Sequence, residues 1–229
     1  MRAILLAAGY GTRLRPLTSK IPKCLVPIRG KPLLEIWLEQ LTDAGIGPFL
    51  INTHFLAEQV EAYIGSSPYR DQVTLVHEHE LRGTAGTLIA NLEFLGGEDG
   101  LLIHADNYCR PDLREFMHAH QKRPADSVMS MMTFRTDRPS SCGIVELDDR
   151  GVVIGFHEKV ESPPGNIANG AIYILSTDLL RVLETEFLKA SDFSTQVLPL
   201  FVGRIFTYET KGLFLDIGTP DAYYKACQP

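Results

Sequence analysis

The sequence predicts an α/β protein built on a mostly parallel, mixed sheet with helices on its faces. Three observations point that way. Short apolar runs alternate with segments of helical period through the first half of the chain. The apolar runs are continuous, as in strands buried on both sides, and the connections between elements are short.

Ala3 to Ala8 reads as the first buried strand and runs straight into a glycine loop. Leu34, Leu38 and Leu41 recur at helical spacing, with Gly45 where a helix would end. Phe49 to Asn52 follows as a strand. Leu56, Val60 and Ile64 mark a second helix, and Val73 to Val76 another strand. Leu88, Leu92 and Leu95 give a third helical stripe before a strand from Leu101 to His104. The second half is richer in strands. Gly143 to Leu147 and Val152 to His157 flank Asp148-Asp149-Arg150-Gly151, a good hairpin turn. Ala171 to Leu175, Ile205 to Glu209 and Leu213 to Ile217 read as strands, Leu179, Leu180 and Leu183 as a helical stripe, and Thr219 to Ala226 as a closing helix. Ligands of such sheets bind beyond the carboxyl ends of the strands. The loops after Ala8, Val76 and His104 are therefore where chemistry is expected.

Composition sets limits. The 229 residues carry a net charge of −6, which argues against a general nucleic-acid binder. Cys24, Cys109, Cys142 and Cys227 form no CxxC pair and read as reduced thiols. The N-terminus lacks the long apolar core of a signal peptide, and no stretch approaches the ~20 apolar residues of a membrane span. A cytoplasmic protein that touches neither membrane nor nucleic acid is expected.

Leu6-Ala7-Ala8-Gly9-Tyr10-Gly11-Thr12-Arg13 has phosphate-binding character, because glycine lets backbone N–H groups approach phosphate oxygens closely. It is not a dinucleotide fingerprint, since Leu14 stands at the third glycine position, and GxxxxGK[ST] occurs nowhere. Instead Arg13, Arg15, Lys20 and Lys23 place four cations within eleven residues. Arg13 follows the turn glycine closely, and Lys23 lies between Pro22 and Cys24. Arg15 and Lys20 read equally well as solvated surface charges.

LAAGYGTRLRPLT followed by IPKCLVPIRGKPLLE resembles the signature of the sugar-1-phosphate nucleotidyltransferases. The resemblance implies a Rossmann-like nucleotidyltransferase fold over residues 1–229 as one domain. Its nucleotide half would cover about 1–110 and its strand-rich sugar-phosphate half about 111–229. It implies that Leu6, Ala8, Gly9, Gly11 and Thr12 line the nucleotide, while Arg13 and Lys23 stabilise charge on the transferring and leaving phosphates. His104-Ala105-Asp106-Asn107 resembles the family's metal-aspartate segment, with Ala105 in place of the usual glycine. The alternative is that Asp106 simply caps the helix starting near Asp112. Asp216, in LDIGTPDAY, resembles the second metal aspartate, so that Asp106 and Asp216 would hold Mg²⁺ with Asn107 near the sugar phosphate.

Glu78 through Gly86 resembles the family's base-reading loop, with Glu78, Gly83 and Thr84 at the nucleotide. A carboxylate accepts both N1–H and the amino group of guanine, whereas uracil and thymine offer one N–H there. Glu78 thus tilts the nucleotide towards GTP. Gly143, Glu158, Lys159 and Asn169 match the sugar-side motifs in order. Val160 stands in place of the usual proline, and Asn169-Gly170-Ala171 in place of Asn-Ala-Gly. A surface hairpin alone could carry Glu158 and Lys159. Asn169-Gly170-Ala171-Ile172-Tyr173 and Glu158-Lys159-Val160 are similar to segments of the bacterial D-glycero-α-D-manno-heptose 1-phosphate guanylyltransferases, which implies this heptose phosphate as acceptor and GDP-heptose for capsule or surface glycans as product.

Mannose 1-phosphate as acceptor (giving GDP-mannose), a uridylyl- or cytidylyltransferase, and a non-catalytic sensor of nucleotide or sugar phosphate are the alternatives. A nicotinamide oxidoreductase is disfavoured by Leu14. No hexapeptide repeat follows Gly218, so no C-terminal β-helix is expected. A homo-oligomer is compatible with the sequence. His77 with His79, and His118 with His120, are expected to bind no zinc, and Met129, Met131 and Met132 to pack in a strand.

Overall fold

The computed structural model describes residues 1–228. Along the chain, β1 (Ala3–Leu6) leads through the glycine loop to β2 (Pro27–Ile28) and β3 (Lys31–Pro32), a small antiparallel ribbon. Then come α1 (Leu33–Asp43), β4 (Phe49–Thr53), α2 (Ala57–Ser66), β5 (Val73–His77), α3 (Gly83–Ala90), β6 (Gly100–His104), β7 (Tyr108–Cys109) and α4 (Leu113–Gln121). The remainder is β8 (Met129–Arg135), β9 (Gly143–Leu147), β10 (Val153–Glu158), β11 (Ile167–Leu175), α5 (Thr177–Glu186), α6 (Phe193–Gln196), β12 (Ile205–Glu209), β13 (Phe214–Leu215) and α7 (Pro220–Cys227). The alternation of strand and helix expected from the sequence is that of an α/β protein.

The chain forms two compact units. The first comprises residues 1–81, 103–111 and the chain from 212 on; the second comprises 82–102 and 112–211. In the first, β1, β4 and β5 run parallel, with Leu6 opposite Asn52 and Asn52 opposite Val76. β1 and β4 are buried throughout, and with Leu34, Trp37 and Leu38 of α1 they form the core of this unit. β13 pairs antiparallel with β7, Leu215 lying opposite Tyr108. In the second unit β11 pairs antiparallel with β8 and β9, β9 with β10, and β12 joins β8 in parallel. Met129, Met131 and Met132 are fully buried in β8, and Phe116, Tyr173 and Phe193 fill the core around them.

Several boundaries differ from those the sequence predicts, each for a visible reason. β1 stops at Leu6 because the N–H of Ala7 turns to the Asn52 side chain, 2.7 Å away. The stripe Leu88, Leu92, Leu95 is broken into α3 and a 3₁₀ turn. The Asn91 amide takes the Thr87 carbonyl (2.8 Å) and competes with helix continuation. β13 covers only Phe214–Leu215, since Asp216 folds back to accept the N–H of Gly218 (2.8 Å). α4 is capped by Asp112, which accepts the N–H of Glu115, and not by Asp106. Asp106 is thereby left to other work. Burial pushes the Cys24 thiol up to about 12, so it stays protonated and inert. Among the described residues no helix is long and apolar enough to cross a membrane.

Candidate active site

The glycine loop leaves β1 at Leu6, whose carbonyl accepts the N–H of Ala105. Gly11 adopts φ +60, a conformation that favours glycine, and a Cβ there would lie 3.0 Å from Thr18 and 3.2 Å from Lys23. The Thr18 hydroxyl donates to the Gly11 carbonyl (2.7 Å), closing the loop on itself. Thr12 and Arg13 enter a 3₁₀ turn whose Leu14 is buried. Leu14 is therefore a core residue, which explains why no third glycine stands there. A Cβ on Gly9 would meet nothing within 4 Å, and Ala8 is buried, so Gly9 lies where a ligand can approach.

The cations of the loop fare differently. Lys23 is only 5 % exposed, and its ammonium donates to Asp106 Oδ2 at 2.9 Å. Burial alone would raise the Asp106 carboxyl, but Lys23 and His104 together hold it below the usual carboxylate range. Arg13 is open to solvent, its guanidinium 3.8 Å from Asp216 Oδ2, an ion pair without a hydrogen bond. A Cβ on Gly218 would sit 2.8 Å from Asp216 Oδ1 and 2.9 Å from the Arg13 guanidinium, so one or both side chains would have to shift to admit it. Arg15 and Lys20 are exposed.

Asp106 follows β6 and precedes β7, while Asp216 follows β13. Because Leu215 lies opposite Tyr108, both aspartates leave the same end of the β7–β13 ribbon. The Asn107 carbonyl between them accepts from the buried Trp37 indole (3.0 Å), which pins this turn to α1. Two carboxylates give an all-oxygen donor set that suits a hard divalent cation. Among the described residues no group of three or more His, Cys, Asp or Glu side chains is placed to hold a metal. The pair would thus need phosphate oxygens to complete a shell. His77 and His79 stack edge to face at 4.9 Å.

Glu78 is 2 % exposed, and its carboxylate accepts from the Asn52 amide (3.1 Å). Its N–H donates to the Thr53 carbonyl (2.8 Å), and its own carbonyl lies 2.7 Å from His54 Nδ1. Asn52 and His54 do not stand out as site residues in the sequence. A signal for them exists, because they lie at the carboxyl end of β4, on the rim where such sheets bind their ligands.

The remaining expected site residues lie in the second unit. Gly83 adopts φ +77, and a Cβ on it would fall on the Ser191 carbonyl. The close approach it permits here is to that backbone. The Thr84 hydroxyl accepts the N–H of Phe193 (2.7 Å), fixing α3 to the start of α6. Gly143 faces Glu158 across the β9–β10 ladder, and a Cβ on it would be 2.6 Å from the Glu158 carboxylate. Glu158 pairs with the ammonium of Lys159 at 3.1 Å, and Lys159 holds φ +51. Asn169 donates to the Tyr173 hydroxyl (2.7 Å) and accepts from Ala171 N–H (2.9 Å). These bonds span a register shift in β11 where Ala171 adopts φ +53. Asn169 is first of all a brace for this bulge. Burial pushes the Tyr173 hydroxyl up from its ordinary range.

Comparison with known proteins adds independent findings. The family model described as nucleotidyl transferase matches residues 2–229. The chain is 30% identical over 227 residues to the mannose-1-phosphate guanylyltransferase catalytic subunit beta of Danio rerio, covering 96% of this chain and 62% of that one. It is 30% identical over 225 residues to the protein of the same name from Drosophila pseudoobscura pseudoobscura, covering 96% and 59%. The chain thus spans about three fifths of the length of these curated relatives. Among solved structures, HddC from Yersinia pseudotuberculosis complexed with GMP-PN superposes with a TM-score of 0.82. It is 30% identical over 99% of this chain and 97% of that one.

Proposed function

The chain belongs to the nucleotidyl transferase family, and from that premise we propose that it transfers GMP from GTP to a sugar 1-phosphate, releasing pyrophosphate. The observation that carries the reading is the pairing of each expected phosphate-binding cation, Arg13 and Lys23, with one of the two expected metal carboxylates beside the glycine loop. An oxygen of the sugar 1-phosphate attacks the α-phosphorus in line. The new P–O bond forms as the α–β bridge breaks, and its electron pair leaves with pyrophosphate. The attacking phosphate is already anionic, so no general base is required. Arg13 and Lys23 neutralise charge on the transferring and leaving phosphates, and the loop N–H groups orient them. Asp106 and Asp216 would hold Mg²⁺, which when bound would offset repulsion between the two anionic substrates.

The buried carboxylate of Glu78, its orientation fixed by Asn52, supports guanine as the base. Gly143, Glu158, Lys159, Asn169 and Asn107 are the residues proposed to meet the sugar phosphate. We take D-glycero-α-D-manno-heptose 1-phosphate as acceptor and GDP-heptose for a capsule or surface polysaccharide as product, on the sugar-side motifs of β9 to β11. Mannose 1-phosphate is the second reading, favoured by the names of the Danio and Drosophila relatives. The test is pyrophosphate release from GTP, UTP, CTP and ATP against heptose, mannose and glucose 1-phosphates with Mg²⁺. GTP with the heptose phosphate is expected to be fastest. A faster rate with UTP or CTP would overturn the base assignment. GTP binding without pyrophosphate from any acceptor would favour a sensor.

A further inference from the structure

We infer that Asn52, His54 and Tyr10 join the glycine loop to Glu78 by two parallel bridges, so that recognition of the base sets the geometry of the triphosphate loop. This rests on the proposed reading of the loop and of Glu78 as nucleotide-binding. The first bridge runs through Asn52. Its side-chain oxygen accepts the N–H of Ala7 (2.7 Å), and its amide donates to the Glu78 carboxylate (3.1 Å). The second runs through His54. Its Nδ1 lies 2.7 Å from the Glu78 carbonyl, and its Nε2 lies 2.8 Å from the Tyr10 hydroxyl.

The chemistry of the second bridge fixes the tautomer. A carbonyl can only accept, so Nδ1 must carry the hydrogen. With the hydrogen on Nδ1, Nε2 is the nitrogen that can accept from the Tyr10 hydroxyl. Tyr10 is 44 % exposed, yet its ring packs edge-on against His54 (5.3 Å between centroids) and at a tilt against Phe55 (5.7 Å). An exposed tyrosine is thus held on its hydroxyl and beside its ring. Gly11 is fixed separately by Thr18. Ala7, Tyr10 and Gly11 are all anchored, so a displacement of Glu78 or its backbone is delivered to the loop through Ala7 and Tyr10. Asn52 and His54 act as positioning residues, since they reach the nucleotide only through their partners.

The test is a double-mutant cycle on Tyr10→Phe and His54→Asn, read by steady-state kinetics and by calorimetric binding of GTP. Asparagine keeps a donor near Nδ1 but is too short to reach Tyr10. Loss of one hydrogen bond predicts KM and Kd for GTP raised about threefold to tenfold in each single variant. The turnover number should fall as well, because the loop N–H groups orient the transferring phosphates, while KM for the sugar phosphate should not move. The double variant should be no worse than either single one. His54→Ala, which loses both bonds, should lower the preference for GTP over UTP by about tenfold. Multiplying effects in the double variant, or unchanged GTP affinity in the single ones, would overturn the coupling. A parent protein that binds GTP but releases no pyrophosphate would refute the proposed reaction, while the binding cycle would still decide this inference. A parent that binds no nucleotide would refute both.

Discussion

Lys23, Ala7 and Tyr10, at and around the glycine loop of the first unit, are held by partners remote in sequence, whereas Glu158 and Asn169, the expected sugar-side residues of the second, are held by near neighbours. Lys23 meets Asp106 across 83 residues, Ala7 meets Asn52 across 45 and Tyr10 meets His54 across 44. Glu158 pairs with the adjacent Lys159, and Asn169 braces Ala171 and Tyr173 within one bulge. The difference is physical. On the proposed reading, stabilising charge on a transferring phosphate would require fixed charges that do not reorganise during the reaction, and a tertiary framework supplies such rigidity. The expected sugar side is instead shaped locally, by two residues at positive φ, Lys159 and Ala171.

Four experiments break or sharpen this contrast. The largest effect is expected for Asp106→Asn and Asp216→Asn, which keep shape and hydrogen bonding but remove the charge that a cation needs. Pyrophosphate release should fall by about a thousandfold or more; the unfolding temperature should change little for Asp216→Asn and fall for Asp106→Asn, which strips the buried Lys23 ammonium of its counter-charge. Full activity of both variants in magnesium-free buffer would end the metal assignment. Next is Gly218→Ala, which inserts a methyl 2.8 Å from the Asp216 carboxylate and 2.9 Å from Arg13. Displacing that pair should cost between about tenfold and a hundredfold in kcat/KM.

The third experiment concerns a buried network in the second unit. His120 Nδ1 lies 2.7 Å from the Ser130 hydroxyl, and its Nε2 lies 3.1 Å from Asp99, which also accepts from Thr177. The ionised carboxylate must accept, so Nε2 carries the hydrogen and Ser130 donates to Nδ1. The His120 bond, with those from Thr177, outweighs burial and holds Asp99 down to about 2, and burial lowers His120 below its ordinary 6.5. Both groups therefore bind protons less readily when folded, and acid favours the unfolded chain. The His120 contribution is present above 6.5 and is lost as the pH falls towards the lowered folded value. The Asp99 contribution is present above 3.8 and is lost as the pH falls towards 2. Unfolding temperatures recorded from pH 7 to pH 2 should show a steepening acid limb, and Asp99→Asn should flatten its lower part. An unchanged limb would remove the network from the account. The smallest effect is expected for Ala171→Gly. Relief of the φ +53 strain should stabilise the protein by about 0.5–1 kcal/mol and raise the unfolding temperature by roughly 1–4 °C. A fall in unfolding temperature would show that the bulge is not strained.

Much of the framework is legible in the amino-acid sequence. The continuous run at Phe49, the helical stripe of Leu34, Leu38 and Leu41, and the Asp148–Gly151 turn between β9 and β10 all fold as their local patterns predict. Boundaries shift wherever a side chain takes a backbone group from the element, as Asn52 does at Ala7 and Asn91 at Thr87. Propensity cannot register the first, because Asn52 lies 45 residues from Ala7 and packing brings them together, while the second is a local side-chain bond that competes with the helix. In the site, the glycine loop, Arg13, Lys23, Asp106, Asp216 and Glu78 stand out by residue type and by a motif. Asn52, His54 and Gly218 do not, since each matters only through a group that the fold brings to it.

By itself, then, the sequence determined the α/β architecture, the glycine loop after β1 and the cluster of charges around it, because periodicity, glycine and formal charge are local properties. Only the tertiary structure decided which cation meets which carboxylate, that Lys23 is buried while Arg13 is open, and that Asn169 braces a bulge. Pairing and burial depend on distances between residues far apart in the chain, which no local pattern encodes.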